Sequence, residues 1–268
     1  MANRPWTRDE ILLAIDLYCK VPYARLNQIY PEVKTLAKLL DRTPSAVSMR
    51  CCNYAQFDPV ESKRVKGLSH AAKSDRAIWE EVNADWEQFS IEVSALLARY
   101  ELKHSTFESA EGSGSLSPIG NDYEVLTRAR IGQDFFRKAV LTAYNHCCCV
   151  SGICHDALLI ASHIKPWKVS DQKTERTNPR NGLCLSPLYD KTFDSGLMTV
   201  DEQMRIVFSS EIKQCASPDV VRHFFYQYEG NKLRLPNRFI PDLTFLEYHR
   251  RNIFQNKSSL PYEGLLPS

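Results

Sequence analysis

Hydrophobic residues recur with helical spacing through most of the first hundred positions. The first run follows a T-R-D-E capping box at 7–10, in which the threonine and glutamate side chains satisfy each other's backbone amides. A second amphipathic run covers 33–40, and a third helix starts at Pro44 with Thr43 as its N-cap. Helical periodicity resumes over 76–100. Two helices joined by a short polar break predict an all-helical, helix-turn-helix-like region.

This pattern stops in a stretch with few apolar residues. Positions 105–123 are rich in serine and glycine, which is typical of a flexible linker. We therefore predict a helical domain over 1–104 and a second domain over 124–268.

The second domain mixes short helices and short strands. A helix is predicted over 132–144, and short strands are predicted around 148–150 and 158–164. A brief helix over 187–196 is stopped by its final glycine, and a hairpin follows over 197–208. Two strands, a loop and a helix form a ββα outline, so the fold class of the whole chain is α+β.

Composition and charge narrow the class of protein. The 268 residues are 43% hydrophobic and 25% charged, as in ordinary globular chains, and the net charge of +2 alone does not indicate nucleic-acid binding. No run approaches the ~18 consecutive apolar residues of a membrane helix. The N-terminus lacks the apolar core of a signal peptide. We therefore expect a cytoplasmic protein with no membrane contact.

The nine cysteines are informative through their arrangement. Cys51 and Cys52 are adjacent, as are the three at 147–149, and neighbouring cysteines make poor disulfide partners. The chain has no two close C-x2-C pairs of the kind that hold structural zinc. We expect reduced thiols that pack as small hydrophobes, and no structural zinc.

Candidate chemistry is concentrated in the second domain. Asp190 and Asp194 are one turn apart on the predicted helix, so their carboxylates share a face and repel unless a cation lies between them. Hard oxygen ligands suit magnesium or manganese, and a solvated helix face is the alternative. His163 follows an apolar run, where a histidine is more often structural. The ordinary pKa of a histidine nevertheless lies near neutral pH. Phosphodiester hydrolysis at that pH needs a base that deprotonates water, and histidine can serve as that base.

The run over 128–208 contains the segments A-S-H-I-K-P-W and N-P-R-N-G-L-C-L-S-P-L-Y-D-K-T-F-D-S-G-L. It resembles the HNH nuclease family, in the branch found in predicted restriction endonucleases, and weaker similarity continues near the C-terminus. The resemblance implies a ββα-metal fold. It also implies that His163 is the general base and that Asn181 orders the intervening loop through hydrogen bonds.

The resemblance further implies a divalent metal site. The final histidine of the family's motif falls on Tyr189 or Asp190, and the spacing favours Asp190, which makes this chain an H-N-D variant. Asp194 matches a second helical ligand one turn later. Many members carry another ligand just before the base, where this chain has Ser162, so water or a phosphate oxygen would complete the coordination. The expected ion is Mg²⁺, with Mn²⁺ or Ni²⁺ as alternatives.

Two regions are expected to contact DNA. The second helix of a helix-turn-helix enters the major groove, and basic residues around it hold phosphates. The helix before the ββα outline has a basic face that suits phosphates. The expected contacts are Arg42, Ser45, Ser48, Arg50 and Asn53 in the helical domain, and Arg130, Gln133, Arg137 and Lys165 in the second domain. A helical protein–protein module and a solvated helix face are the respective alternatives. His146 and His155 remain candidates as metal ligands or phosphate contacts.

Together these features predict a metal-dependent DNA endonuclease, of a restriction or phage-defence type, with its own DNA-reading domain. The alternatives are a DNA-binding regulator with a retained but inactive nuclease fold, and a mobile-element or homing nuclease. The expected partners are double-stranded DNA, a second copy of the chain, and a cognate DNA methyltransferase. A homodimer is expected because one active site per chain cuts one strand.

Overall fold

The computed structural model describes residues 4–58, 62, 73–105, 121–214 and 217–255. Its helical part contains α1 (Arg8–Lys20), α2 (Pro31–Leu39), α3 (Pro44–Asn53), α4 (Lys73–Ala84) and α5 (Trp86–Ser105). The predicted capping box is present, since the Thr7 hydroxyl accepts from the Glu10 amide and the Glu10 carboxylate accepts from the Thr7 amide. Thr43 caps α3 as predicted.

The helix pair α2 and α3 packs closely, with a short turn between the two helices. Asp41 in this turn has a positive φ of 49°, which reverses the chain before the Thr43 cap. The two-helix outline predicted from the sequence is therefore present, and its use in DNA recognition stays a prediction.

The second part begins with the long helix α6 (Asn121–Ala143). Strands β1 (Ile160–His163) and β2 (Gly182–Leu185) then pair antiparallel, with His163 opposite Gly182, and α7 (Pro187–Asp194) follows β2. Strands β3 (Met198–Val200) and β4 (Ile206–Phe208) form the predicted hairpin. Helices α8 (Pro218–Phe224) and α9 (Leu243–Asn252) complete the described chain.

The predicted strand around 148–150 is wrong. This segment is a turn, closed by a hydrogen bond from the Gly152 amide to the Cys148 carbonyl, with Gly152 at a φ of 75°. Cys149 donates a single backbone bond to Cys184 instead of entering a ladder. The partner of β1 is therefore β2, and the loop over 164–181 separates the two paired strands.

This turn also changes the interpretation of the cysteines. Cys147 and Cys154 form a disulfide with their Cα atoms 4.1 Å apart, so the expectation of reduced thiols is wrong for this pair. The reversal at Gly152 brings the two residues together. Cys148, Cys149 and Cys184 are free and buried, as small hydrophobes are.

The two parts of the chain share one hydrophobic core. Arg238 is 1% exposed and donates to the carbonyl oxygens of Tyr18 and Val21 in the helical part. The Thr142 hydroxyl on α6 donates to the Lys20 carbonyl at 3.0 Å. Buried contacts therefore join residues 1–104 to residues 124–268. The division of the chain into two domains at 105–123 stays a prediction. Among the described residues, no helix combines the length and apolar character needed to span a bilayer.

Candidate active site

His163 is the last residue of β1 and lies between two aromatic rings. Its imidazole stacks on Phe136 at 3.9 Å between centroids, and its centroid is 5.5 Å from that of Trp167, edge to face. Nε2 lies 2.8 Å from the Arg176 carbonyl oxygen, an acceptor only, so Nε2 carries the proton and Nδ1 has the free lone pair. Burial lowers the pKa of His163, although the Arg176 carbonyl opposes this. The ring is therefore neutral near pH 7 and can accept a proton.

Gly182 lets α6 approach the β1–β2 pair closely enough to place Phe136 against His163. A Cβ atom at Gly182 would lie 2.4 Å from Val140 Cγ2 and 3.0 Å from the Phe136 ring. Only glycine leaves this space, so the position of the histidine depends on a residue of the opposite strand.

Asn181 is fully buried and ties the loop over 164–181 together. Its side-chain oxygen accepts from the Lys165 amide at 2.8 Å. Its amide nitrogen donates to the carbonyl oxygens of Lys165 and Glu175, at 3.1 and 3.2 Å, and to the Ser170 hydroxyl at 3.3 Å. Arg176, which follows Glu175 in the same loop, accepts the hydrogen bond from His163 Nε2 through its backbone carbonyl. This is the geometry expected of a loop-ordering residue.

The short helix α7 presents its two carboxylates as a pair. Tyr189 is buried and donates its hydroxyl to the Phe224 carbonyl at 2.8 Å, whereas Asp190 is only half-buried. Burial and the nearby charge of Asp190 raise the pKa of Asp194. Neither carboxylate has a hydrogen-bonded or ion-paired partner within the described part of the chain.

Ser162 on β1 is the further metal ligand predicted from the sequence. It is 3% exposed, its Oγ has no hydrogen-bond partner among the described residues, and strand alternation points it away from the His163 face. A buried hydroxyl without a partner costs about 1–3 kcal/mol, which a bound cation would offset. The Ser162 hydroxyl and the carboxylates of Asp190 and Asp194 are hard donors that fit Mg²⁺ chemically. No three His, Cys, Asp or Glu side chains converge in the described ranges, so water or phosphate would supply other ligands.

Two other histidines that the structure describes, His146 and His249, have structural partners. His146 pairs with Asp156 at 2.7 Å between Nδ1 and Oδ1. His249 on α9 is 1% exposed, stacks on Phe193 at 3.7 Å, and contacts the Thr199 hydroxyl at 2.9 Å. Burial lowers the pKa of His249 to about 4. His249 therefore supports α7 from the core.

A cleft of about 250 Å³ opens beside His163 and is lined partly by α6. Gln133 is exposed there, and Arg137 donates to the carbonyl oxygens of Leu159 and Asp156 at 2.9 and 3.2 Å. The structure thus brings two of the predicted DNA contacts next to the candidate base. Arg130 lies at a separate cavity bordered by α1, α5 and α6. Lys165 pairs with Glu175 at 2.5 Å.

Arg42 does not have the geometry of a base-reading residue. Its guanidinium pairs with buried Glu10 at 2.8 Å, donates to the carbonyl oxygens of Arg4 and Pro5, and lies 4.1 Å from the Trp6 ring centroid. These contacts use its donors to join the start of α1 to the α2–α3 turn. These contacts do not support base reading by Arg42, and that role stays a prediction.

The other predicted readers on α3 divide into two groups. Arg50 pairs with buried Asp75 at 3.0 Å, and the Ser48 hydroxyl donates to the Leu26 carbonyl at 2.6 Å, so both side chains are engaged. Ser45 is exposed and Asn53 is half-buried. Within the described part of the chain, the Ser45 and Asn53 side chains have no hydrogen-bond partner.

Comparison with known families tests the resemblance seen in the sequence. A family model described as HNH endonuclease matches residues 148–201. The HNH resemblance is thereby confirmed. This HNH segment runs from the turn before β1 to the end of β3 and includes His163, Asn181 and Asp190.

Structural comparison adds little to the HNH assignment. The chain is similar to a solved structure titled "Modification dependent TagI restriction endonuclease", with 23% identity and a TM-score of 0.32. The similarity covers 48% of this chain and 39% of that one, so the chain spans about two-fifths of it. No curated protein matches the chain. At this level the structural likeness carries no argument about activity.

Three residues that contact the candidate base were not predicted from the sequence. Phe136, Trp167 and Arg176 contact His163 through stacking, an edge-to-face contact and a backbone carbonyl. Trp167 follows His163 by only four positions, so its contact with the ring could have been predicted from the sequence. The contacts of Phe136 and Arg176 depend on the fold.

Proposed function

We propose that this protein is a metal-dependent DNA endonuclease that hydrolyses phosphodiester bonds at His163. The observation that carries the proposal is the tautomer of His163, a residue of the HNH segment whose ring lines a cleft and whose Nδ1 is left without a proton because Nε2 donates to the Arg176 carbonyl. A neutral imidazole of lowered pKa, held by a backbone carbonyl, suits proton abstraction from water.

In the proposed reaction, a water oxygen bonds to the phosphorus atom while its proton passes to Nδ1 of His163. The bond from phosphorus to the leaving oxygen breaks, and that oxygen takes a proton from solvent. Asp190, Asp194 and Ser162 would hold the divalent cation. When bound, the cation would stabilise negative charge on the phosphate and the leaving oxygen. Magnesium fits these oxygen donors best, and manganese or nickel are the alternatives.

DNA would be held along α6 and read by the helical part. Gln133 and Arg137 are one turn apart on α6 and line the cleft beside His163, whereas Arg130, one turn earlier, lies at the separate cavity bordered by α1, α5 and α6. On the helical part, Ser45 and the exposed lysines Lys34 and Lys38 lie on the α2–α3 pair. We propose that this pair is a helix-turn-helix and that a homodimer cuts both strands. A restriction or phage-defence role, with a methyltransferase that protects the same site, fits this arrangement.

One observation favours a second candidate, a DNA-binding regulator with an inactive nuclease fold. Ser162 is a weak ligand at a position where a stronger one would complete the metal site. Incubation of purified protein with plasmid and phage DNA in Mg²⁺, Mn²⁺, Ni²⁺ or EDTA separates the two functions. Cleavage that needs a divalent cation supports the nuclease. DNA binding without cleavage in every cation supports the regulator.

A further inference from the structure

Arg176 has two links to the candidate active site. Its backbone carbonyl accepts from Nε2 of His163 at 2.8 Å. Its guanidinium carbon lies 5.5 Å from the ring centroid of Trp167, which lines the cleft and meets His163 edge to face. The Arg176 Nε donates to the Ser170 carbonyl at 3.2 Å. The side chain is therefore fixed at two points next to Trp167, a residue that lines the cleft.

The terminal nitrogens of Arg176 are available for a ligand. In the described part of the chain they have no hydrogen-bonded or ion-paired partner, although Arg176 is half-buried. The neighbouring cations differ, since Lys165 pairs with Glu175 and Arg137 donates to two carbonyl oxygens. A guanidinium presents five N–H donors, and the Ser170 carbonyl uses only one of them.

A half-buried guanidinium held against an aromatic ring without a carboxylate partner suits an anionic ligand. Its planar terminal nitrogens match two oxygens of a phosphate, and such charge-assisted bonds are about twice as strong as neutral ones. The phosphodiester gains negative charge as water attacks, so a cation in contact with that phosphate would bind the transition state better than the ground state.

We propose that Arg176 binds the non-bridging oxygens of the phosphodiester attacked at His163, with Trp167 as the positioning residue that holds the guanidinium. This inference rests on the proposed nuclease function. It adds a substrate contact on the loop over 164–181 to the contacts expected from α6. The cleaved phosphate would then contact Arg176 as well as the helix that carries Gln133 and Arg137.

The test compares Arg176→Ala and Arg176→Gln with Lys173→Ala in the full-length protein. The glutamine variant keeps a donor for the Ser170 carbonyl, and Lys173 is an exposed cation of the same loop that serves as the matched control. Single-turnover cleavage of plasmid DNA in Mg²⁺ gives the rate, and fluorescence anisotropy of a labelled duplex in EDTA gives the affinity. Thermal unfolding confirms that each variant folds.

Both Arg176 variants should slow cleavage by about 10²–10³-fold, as loss of an oxyanion donor does, while Lys173→Ala stays near wild type. Affinity should change far less, because it is spread over many phosphate contacts. Millimolar guanidinium should restore part of the rate to Arg176→Ala and none to His163→Ala, a result that a structural role would not produce. Trp167→Phe, which keeps an aromatic face, should retain more activity than Trp167→Ala.

Two results would overturn the assignment and are distinguishable. If the wild-type protein cleaves DNA and folded Arg176→Gln cleaves at the same rate, the Arg176 contact is wrong and the proposed function stands. If the wild-type protein cleaves no DNA in any cation, the proposed function fails and the assignment fails with it.

Discussion

Replacement of Asn181 with alanine should destabilise the protein strongly, because this side chain joins both ends of the loop over 164–181. The substitution removes four side-chain hydrogen bonds, to the amide and carbonyl of Lys165, the Glu175 carbonyl and the Ser170 hydroxyl. Each such bond contributes about 0.5–1.5 kcal/mol, and the partners are left in a buried site. We expect the free energy of unfolding to fall by about 3–5 kcal/mol.

Asn178 offers a matched control in the same loop. Its side chain makes two hydrogen bonds, to the Arg180 amide and the Thr174 carbonyl, both at 3.0 Å, in a half-buried position. Urea unfolding followed by circular dichroism should therefore show a loss of about 1 kcal/mol for Asn178→Ala, well below that of Asn181→Ala. Cleavage by Asn181→Ala should also fall, because the loop carries the carbonyl that orients His163. A loss of stability no larger than that of Asn178→Ala would refute the reasoning.

Three other predictions test separate parts of the account. The folded-state pKa of His249 is about 4 and its unfolded value about 6.5, so the unfolded chain binds more protons between them and stability falls as pH drops through this window. Between pH 7.5 and pH 5, urea titrations should show that the free energy of unfolding of the wild type falls by about 2 kcal/mol more than that of His249→Gln. An equal pH dependence in the two proteins would contradict this prediction. Arg42→Ala should lower the free energy of unfolding by about 2–4 kcal/mol, because it removes the ion pair with buried Glu10. The variant should keep the sequence preference of the wild type in gel shifts. A loss of binding to one DNA sequence alone would instead support base reading by Arg42. Asp190→Asn should raise the Mg²⁺ concentration needed for cleavage, and Asp190→His should shift the preference towards nickel, cobalt or manganese; identical metal dependence in all three proteins would place the ligand elsewhere.

Local features of the fold were readable from the sequence. The Thr7–Glu10 capping box, the Thr43 cap and the helix from Pro187 each depend on residues a few positions apart, and all are present. The HNH segment was recognised for the same reason, since its motifs are contiguous stretches around His163 and Asn181.

Features that depend on side-chain packing or on the conformation of a single turn were not predicted. Arg42 was expected to read bases, but it pairs with Glu10 on another helix. The turn at Gly152 replaced the predicted strand around 148–150 and joined Cys147 to Cys154. Neither outcome has a periodic signal, because each is decided by packing between elements and by one positive φ angle.

The candidate site shows the same division. The sequence singled out His163, but the tautomer of its ring depends on the Arg176 carbonyl and its orientation on Phe136. Phe136 comes from α6 and can approach only because Gly182 lacks a side chain. The residue types of the site were therefore predictable, whereas the contacts that prepare the histidine as a base required the fold.

The rate of DNA cleavage by His163→Ala tests the central claim most directly. His223→Ala, which removes an exposed histidine, is the matched control. With Mg²⁺ and saturating protein, the His163 variant should cleave plasmid DNA about 10²–10⁴-fold more slowly than wild type while binding it with similar affinity, and the His223 variant should cleave normally. A folded His163→Ala protein that cleaves at the wild-type rate would show that the histidine is not the base.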